Sequence, residues 1–491
     1  MSLSTPLSAS IAAGHQKTAE AAALIIKEGG NAFDAAIAAL FAASVAEPCM
    51  ASLGAGGFAC LHTAAGQNLL LDFFVQTPFK KIAPSELEFY PMQVDFGSAQ
   101  ETFHIGMGSM ATPGMMAGIS ALHERYASLP ISVLIEPAKI LAKEGLAMTD
   151  FQFFDIRVLQ PIMTRSAESA AIFYPDGKPL PVGQIQRMPG LADYFDYLSH
   201  EKDWAKDIYL GEAAKLLLKD SIAQGGLLRA DDLAQYEVIW RKPLQLNYKG
   251  HQLLTNPLPS TGGVLIAEGL SALEPLPIDP LHTKQQLARL QKVLGDIYSI
   301  DRNPKKLNSK WGSTTHLNIA DELGNAISIT LSNGEGCGYM IPGTNIMMNN
   351  MLGEAALLPD GFHNWIPNSR LSSMMAPTLV LKENQFHLAT GTGGASRIPG
   401  MVLQLLHHVL DQKMDLQAAT TASRLHYEHG RLNLEPEYAG LANTEDPKLE
   451  QLVEWPEKAM FFGGLNSILR HKNGQLQAVG DDRREGYAIE L

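Results

Sequence analysis

The chain has 491 residues, a formal charge of −13 and 46% hydrophobic residues, enough apolar content for a sizeable core. So acidic a surface argues against binding to a phosphate backbone, and no Lys/Arg run is long enough to reverse that sign locally. The three cysteines, Cys49, Cys60 and Cys337, are too few and odd in number for a disulfide framework, so they are read as reduced and structural. No stretch reaches the length of an apolar membrane span, and Met1 to Gln16 lacks a basic n-region and an apolar h-region, which predicts a cytoplasmic protein.

In chain order, the Ala-rich run Thr18 to Lys27 predicts a helix stopped at Gly29-Gly30. Asn31 then suits the N-cap of a second helix, Phe33 to Val45, which ends before Pro48. After the Gly54–Gly57 passage, alternation predicts a hairpin, Phe58 to Thr63 and Leu69 to Phe74, turning at Ala65-Gly66. Gly114 to Tyr126 and Ile131 to Ala142 read as helices, Asp150 to Gly190 as an irregular surface lobe, and Trp204 to Gln224 as a helix. Asp231 to Leu254 reads as short strands and Lys284 to Ile300 as an amphipathic helix. The polar stretch Asp301 to Ser313 reads as a loop or linker. Beyond it come strands at Thr314 to Ala320 and Ala326 to Ser332, a hairpin over Thr378 to Leu388, and a helix from Ser396 to Asp411. Helix pairs flanking antiparallel runs predict layered helix–sheet–sheet–helix packing rather than βαβ winding.

Four segments can carry chemistry. Ser313-Thr314-Thr315-His316 opens a strand, and a threonine freed at its own amine can attack a carbonyl and carry the proton. Alone this signal is weak, because β-branched residues populate any strand. Thr330 to Gly336, Ser372 to Thr378 and Gly391 to Arg397 follow. The last lacks a Walker lysine, so its turn suits a negative acyl oxygen better than a nucleotide. His426-Tyr427-Glu428-His429 and His407-His408 are the best candidates for metal ligands. Adjacent helical histidines diverge by about 100°, and no HExxH is present, so no metal is assigned.

Together these segments resemble the γ-glutamyltranspeptidase family of N-terminal-nucleophile hydrolases. The likeness runs through Gly29–Ala36, Glu47-Pro48, Gly54–Phe58, Ala111–Gly114, Pro257–Gly263, Thr314–His316, Gly324–Ala326, Asn349–Met351, Ser372-Ser373 and Asp482–Arg484. It implies an α+β fold, an αββα four-layer sandwich, made as one precursor that cuts itself between Ser313 and Thr314. Residues 1–313 would form a large segment and 314–491 a small one beginning with catalytic Thr314, both in one intertwined domain. It further implies an oxyanion hole from the N–H groups of Gly394 and Ala395, and substrate contacts from Ser332, Asn333, Glu354, Ser372 and Ser373. No cofactor is implied. The partners are a small amide and the two fragments of the precursor, and a homodimer of processed units is allowed. One departure stands out. Asp72-Phe73-Phe74-Val75 puts Phe74 where the family has a carboxylate-clamping arginine, and phenylalanine cannot make that fork. Either another cation such as Arg397 compensates, or the acyl group is not γ-glutamyl. The expected activity is that of a self-processing amidohydrolase or acyltransferase. A true glutathione hydrolase/γ-glutamyltransferase, or an uncut and silent binding protein, are the alternatives.

Overall fold

The computed structural model describes residues 8–95, 100–300, 313–358 and 360–491. The expected linker therefore lies outside the described residues, apart from Ser313. Two antiparallel sheets form the centre. The first has seven strands in the spatial order Tyr487–Glu490, Ala9–Ala13, Thr314–Asp321, Ala326–Ser332, Gly56–His62, Asn68–Phe73 and Ile239–Arg241. The second has six, in the order Leu476–Val479, Asn466–Arg470, Gln385–Gly391, Thr378–Lys382, His251–Thr255 and Leu244–Tyr248.

Side-chain alternation sorts the layers. Leu317, Ile319, Ile327, Ile329 and Leu331 join the core beneath the helices Gln16–Lys27, Ala32–Ala46, Met115–Tyr126 and Ile131–Glu144. The opposite face of the same strands turns toward the second sheet, which is covered in turn by Gly262–Leu273, Lys284–Ile300 and Ile398–Leu406. The result is the four-layer αββα sandwich that the resemblance implies. Ala32–Ala46 lies entirely inside this packing, and its alanines let it sit close against the central strands. Its start is fixed by a reciprocal cap, the Asn31 side chain accepting from the Asp34 N–H and the Asp34 carboxylate from the Asn31 N–H.

Three local expectations need correction. Trp204 to Gln224 is not one helix, because the chain breaks at Gly211 between Asp207–Leu210 and Glu212–Ala223. Ala230–Ala234 is a helix, so the strands begin only at Ile239. The helix Gly262–Leu273 escaped notice because two glycines open it. The lobe after Asp150 holds short helices whose Ile156, Ile162 and Phe173 share a small separate cluster with Met92, Phe103 and Met340.

Asp72 locks the edge of the first sheet to the chain around Phe74. Its fully buried carboxylate accepts from the Phe74 N–H and pairs with Arg241 at 2.8 Å and Arg370 at 3.3 Å. Asp72→Ala leaves the buried Arg370 without its anion and should cost about 3 kcal/mol of stability. Urea denaturation reads the loss, and a change under about 1 kcal/mol would show that solvent replaces the pair.

Candidate active site

Thr314 begins its strand near the middle of the first sheet and pairs with Ser332, the last residue of the neighbouring strand. That register sets two side chains against the peptide bond before Thr314. The Ser332 hydroxyl donates to the Ser313 carbonyl at 2.6 Å, and its oxygen accepts from the Gly334 N–H at 3.1 Å. The Ser313 N–H donates to the buried carboxylate of Glu335. Burial, then the neighbouring Glu354, push Glu335 well above the usual carboxylate range.

Gly393 runs against Thr314, since a Cβ there would lie 2.0 Å from the Thr314 carbonyl oxygen. Gly394 and Ala395 follow with φ of 128° and 50°. Among the described residues neither N–H is spent on a hydrogen bond, so both are available to an oxyanion. The next residue is held at both ends, the Ser396 hydroxyl donating to Glu428 at 2.9 Å and its carbonyl accepting from the Tyr298 hydroxyl at 2.8 Å.

A cavity of about 580 Å³, counting space open to solvent, lies over Thr314. Ser313, Thr314, Ser332, Glu354, Ser373, Ala395 and Phe74 all reach its wall, so the fold brings together most of the residues expected at the site. Three are not on the lining, Gly394 among them, which lies beside Ala395. Asn333 turns its amide to the Met347 carbonyl at 3.5 Å, and Ser372 stays off the lining. Arg397 does not replace the missing arginine. It donates to the Phe461 carbonyl at 2.7 Å, lies 4.5 Å over the Phe461 ring and is not on the wall. Sequence reasoning missed Glu335, although it sits in the turn singled out after Thr330. It also missed the apolar wall of Met351, Leu357, Met374 and Ile398. Glu428 and His426, weighed as metal ligands, instead pair with each other at 3.1 Å behind Ser396.

On the helix side, the Thr315 hydroxyl donates to Glu47, whose other oxygen accepts from Thr18 at 2.6 Å. Gly14 has no side chain to obstruct this contact. On the inter-sheet side, His316 contacts the Thr330 hydroxyl at 2.8 Å and packs its ring against Gly391. Burial pulls the His316 imidazole down to about 3. The unfolded imidazole titrates near ~6.5, so between those values the unfolded chain binds the extra proton and stability falls as pH falls. His316→Gln should flatten the pH dependence of the unfolding free energy in that window by up to about 1.4 kcal/mol per pH unit. Identical slopes for the two proteins would mean that His316 is not held neutral by burial.

Among the described residues no helix is long and apolar enough to cross a membrane. The family model described as Gamma-glutamyltranspeptidase matches residues 18–297 and 278–491. The chain is 29% identical to the Acylase ACY 1 proenzyme of Pseudomonas sp. (strain SE83), over 98% of this chain and 93% of that one. It is 28% identical to the Glutathione hydrolase proenzyme of Escherichia coli (strain K12), over 94% of this chain and 87% of that one. Cephalosporin acylase from Bacillus halodurans has the same fold, with a TM-score of 0.84 at 22% identity over 100% of this chain and 97% of that one. The γ-glutamyltranspeptidase of Helicobacter pylori overlaps with a TM-score of 0.52 at 27% identity, over 62% of this chain and 84% of that one. With residues 18–491 matched by the family model and the sandwich matched in structure, the protein belongs to the γ-glutamyltranspeptidase family and is an enzyme of the N-terminal-nucleophile hydrolase type.

Proposed function

We propose that Thr314 cuts its own chain and then serves as the acyl-carrying nucleophile. The observation that carries this reading is the bracketed peptide bond. A hydroxyl points at the Ser313 carbonyl, a carboxylate holds the Ser313 N–H, and the Thr314 side chain faces the cavity. In the first step Thr314 Oγ attacks the Ser313 carbonyl carbon while Ser332 stabilises the negative oxygen. The C–N bond breaks as the hydroxyl proton passes to the departing nitrogen, and the acyl group rests on Thr314 Oγ with the amine freed. Water then hydrolyses this ester, leaving a Ser313 carboxylate and an ammonium on Thr314. The relatives named as proenzymes support such processing. The pieces would be residues 1–313 and 314–491, which share both sheets.

In turnover, the Thr314 amine takes the hydroxyl proton as Oγ attacks an amide. The N–H groups of Gly394 and Ala395 stabilise the oxyanion, and the same amine protonates the leaving group. Water, or a second amine, then removes the acyl group. Ser332, Glu354, Ser373 and Phe74 surround the acyl chain on this reading. Asn333 and Ser372 would act only through the backbone around them. The glutathione hydrolase name of several relatives favours a γ-glutamyl donor, whereas the wall at Phe74 favours a different acyl group. The proposed setting is the cytoplasm, with a homodimer of processed units as one assembly.

Wild-type protein should show two bands on a denaturing gel, and mass spectrometry should find Thr314 at the start of the smaller piece. Thr314→Ala should remain one chain with no turnover. Should that variant still cut and turn over, another nucleophile is at work. Ser332→Ala should slow self-cleavage by about 100-fold, the scale for removing one oxyanion donor, as read from the time course of band conversion. An unchanged rate would remove Ser332 from the cutting step.

A further inference from the structure

We propose that Glu428 is a positioning residue for the oxyanion donors: acting through Ser396, it holds Gly394 and Ala395 in place for turnover and takes no part in self-cleavage. This role rests on the reading of Gly394 and Ala395 as those donors and adds what keeps them aimed. The chain leaves the second sheet at Gly391, whose partner in the ladder is Asn466. It next enters the short turn Ala395–Arg397, ahead of the helix Ile398–Leu406. Between sheet and turn, Gly394 and Ala395 lie in the left-handed region, at φ of 128° and 50°. A non-glycine residue such as Ala395 keeps that conformation only where its surroundings hold it.

Two anchors flank the pair. Before it, the Thr392 hydroxyl accepts from the Gly464 N–H at 2.8 Å and donates to the Gly393 carbonyl at 2.7 Å. After it, Ser396 is 5% exposed, its carbonyl held by the Tyr298 hydroxyl and its own hydroxyl by Glu428. Tyr298 in turn accepts from the Gly400 N–H at 3.2 Å, which ties the turn to the helix that follows. Glu428 ends the strand Leu425–Glu428, and the oxygen that receives the Ser396 proton, Oε2, also meets His426 Nε2 at 3.1 Å. Burial pushes the Glu428 carboxyl up, but the contacts from His426 and Ser396 outweigh it and hold it below the usual carboxylate range. An ionised carboxylate only accepts. The Ser396 hydroxyl therefore has a fixed direction and no second proton for a substrate, although Ser396 reaches the cavity wall. A hydrogen bond to an ionised acceptor is roughly twice as strong as a neutral one, so Glu428 is a firmer hold than an amide would be. Self-cleavage does not call on this hold, because the carbonyl cut in that step belongs to Ser313 and already accepts from Ser332. In turnover the negative oxygen falls to Gly394 and Ala395. A displaced donor weakens the transition state more than the ground state, so kcat falls while KM holds.

The test compares Glu428→Gln and Ser396→Ala with wild type in two reactions. Self-cleavage is followed by band conversion on a denaturing gel. Turnover is measured with the processed enzymes on γ-glutamyl, glutaryl and butyryl para-nitroanilides, using the one that wild type cuts fastest. Each variant should self-cleave within about twofold of wild type and hold KM within about twofold. Its kcat should fall by about tenfold, less than the ~100-fold that a 1 Å misplacement can cost. The double variant should stay within about twofold of the worse single one, because both substitutions break the same chain of contacts. Wild-type kcat in both variants overturns the proposal, as do a raised KM at unchanged kcat, losses that multiply in the double variant, or self-cleavage slowed as much as turnover. Should Glu428→Gln yield no soluble chain, Ser396→Ala decides by the same two reactions. A processed wild-type enzyme that turns over none of the three anilides also overturns the proposal. An uncut and inactive wild-type chain overturns the Thr314 reading, and this proposal with it.

Discussion

The register between the Thr314 and Ser332 strands is the constraint on which the site depends. Antiparallel pairing puts the first residue of one strand opposite the last residue of the next. A slip of one residue would turn Thr314 to the helix side and Thr315 to the cavity, because strand side chains alternate. The register is pinned on both faces. Leu317, Ile319 and Leu331 belong to the apolar core under the helices, and Thr315 is bonded to Glu47. His316 and Asn318 are fixed between the sheets, Asn318 donating to the Asn466 carbonyl and Asn466 returning a bond to the His316 carbonyl.

That inter-sheet zone is unusual for a sandwich core. Around Thr314 it is filled by small polar groups rather than by carbon. His316 meets Thr330, Thr390 meets Ser467 at 2.8 Å, and Thr255 meets Thr378 at 2.9 Å. Each is buried and partnered, which is the condition for tolerating polar groups in a core. Directional bonds of this sort fix the spacing of two sheets more tightly than interchangeable apolar packing. Farther from Thr314 the interlayer turns apolar, with Phe58, Leu253, Val380 and Leu388 in one cluster.

Much of this was legible in the residues. Alternation marked the two hairpins, and the capped helix after Asn31 was signalled by its Asn and Asp. Thr314, Gly394, Ala395 and Phe74 were picked out by motif. What stayed hidden depends on long-range placement. Nothing local says that Ser332 meets the Ser313 carbonyl across a hairpin, or that Glu335 faces Glu354. Asn333 was misjudged for the same reason, since its direction is set by a partner at Met347. Gly211 broke a helix whose composition alone would have carried it through. Arg397 looked available by sequence, but its long side chain is committed to Phe461.

The ownership of strands has a consequence of its own. In the seven-stranded sheet, residues after 313 supply Tyr487–Glu490, Thr314–Asp321 and Ala326–Ser332, separated and flanked by strands from the earlier part of the chain. Three ladders therefore join the two lengths of polypeptide there, and a fourth joins them in the other sheet. Severing the backbone before Thr314 unties no ladder. Dissociation would demand melting both sheets at once, so a nicked molecule keeps the cooperativity of an unbroken one, and the two new chain ends behave as a local event inside a single folding unit.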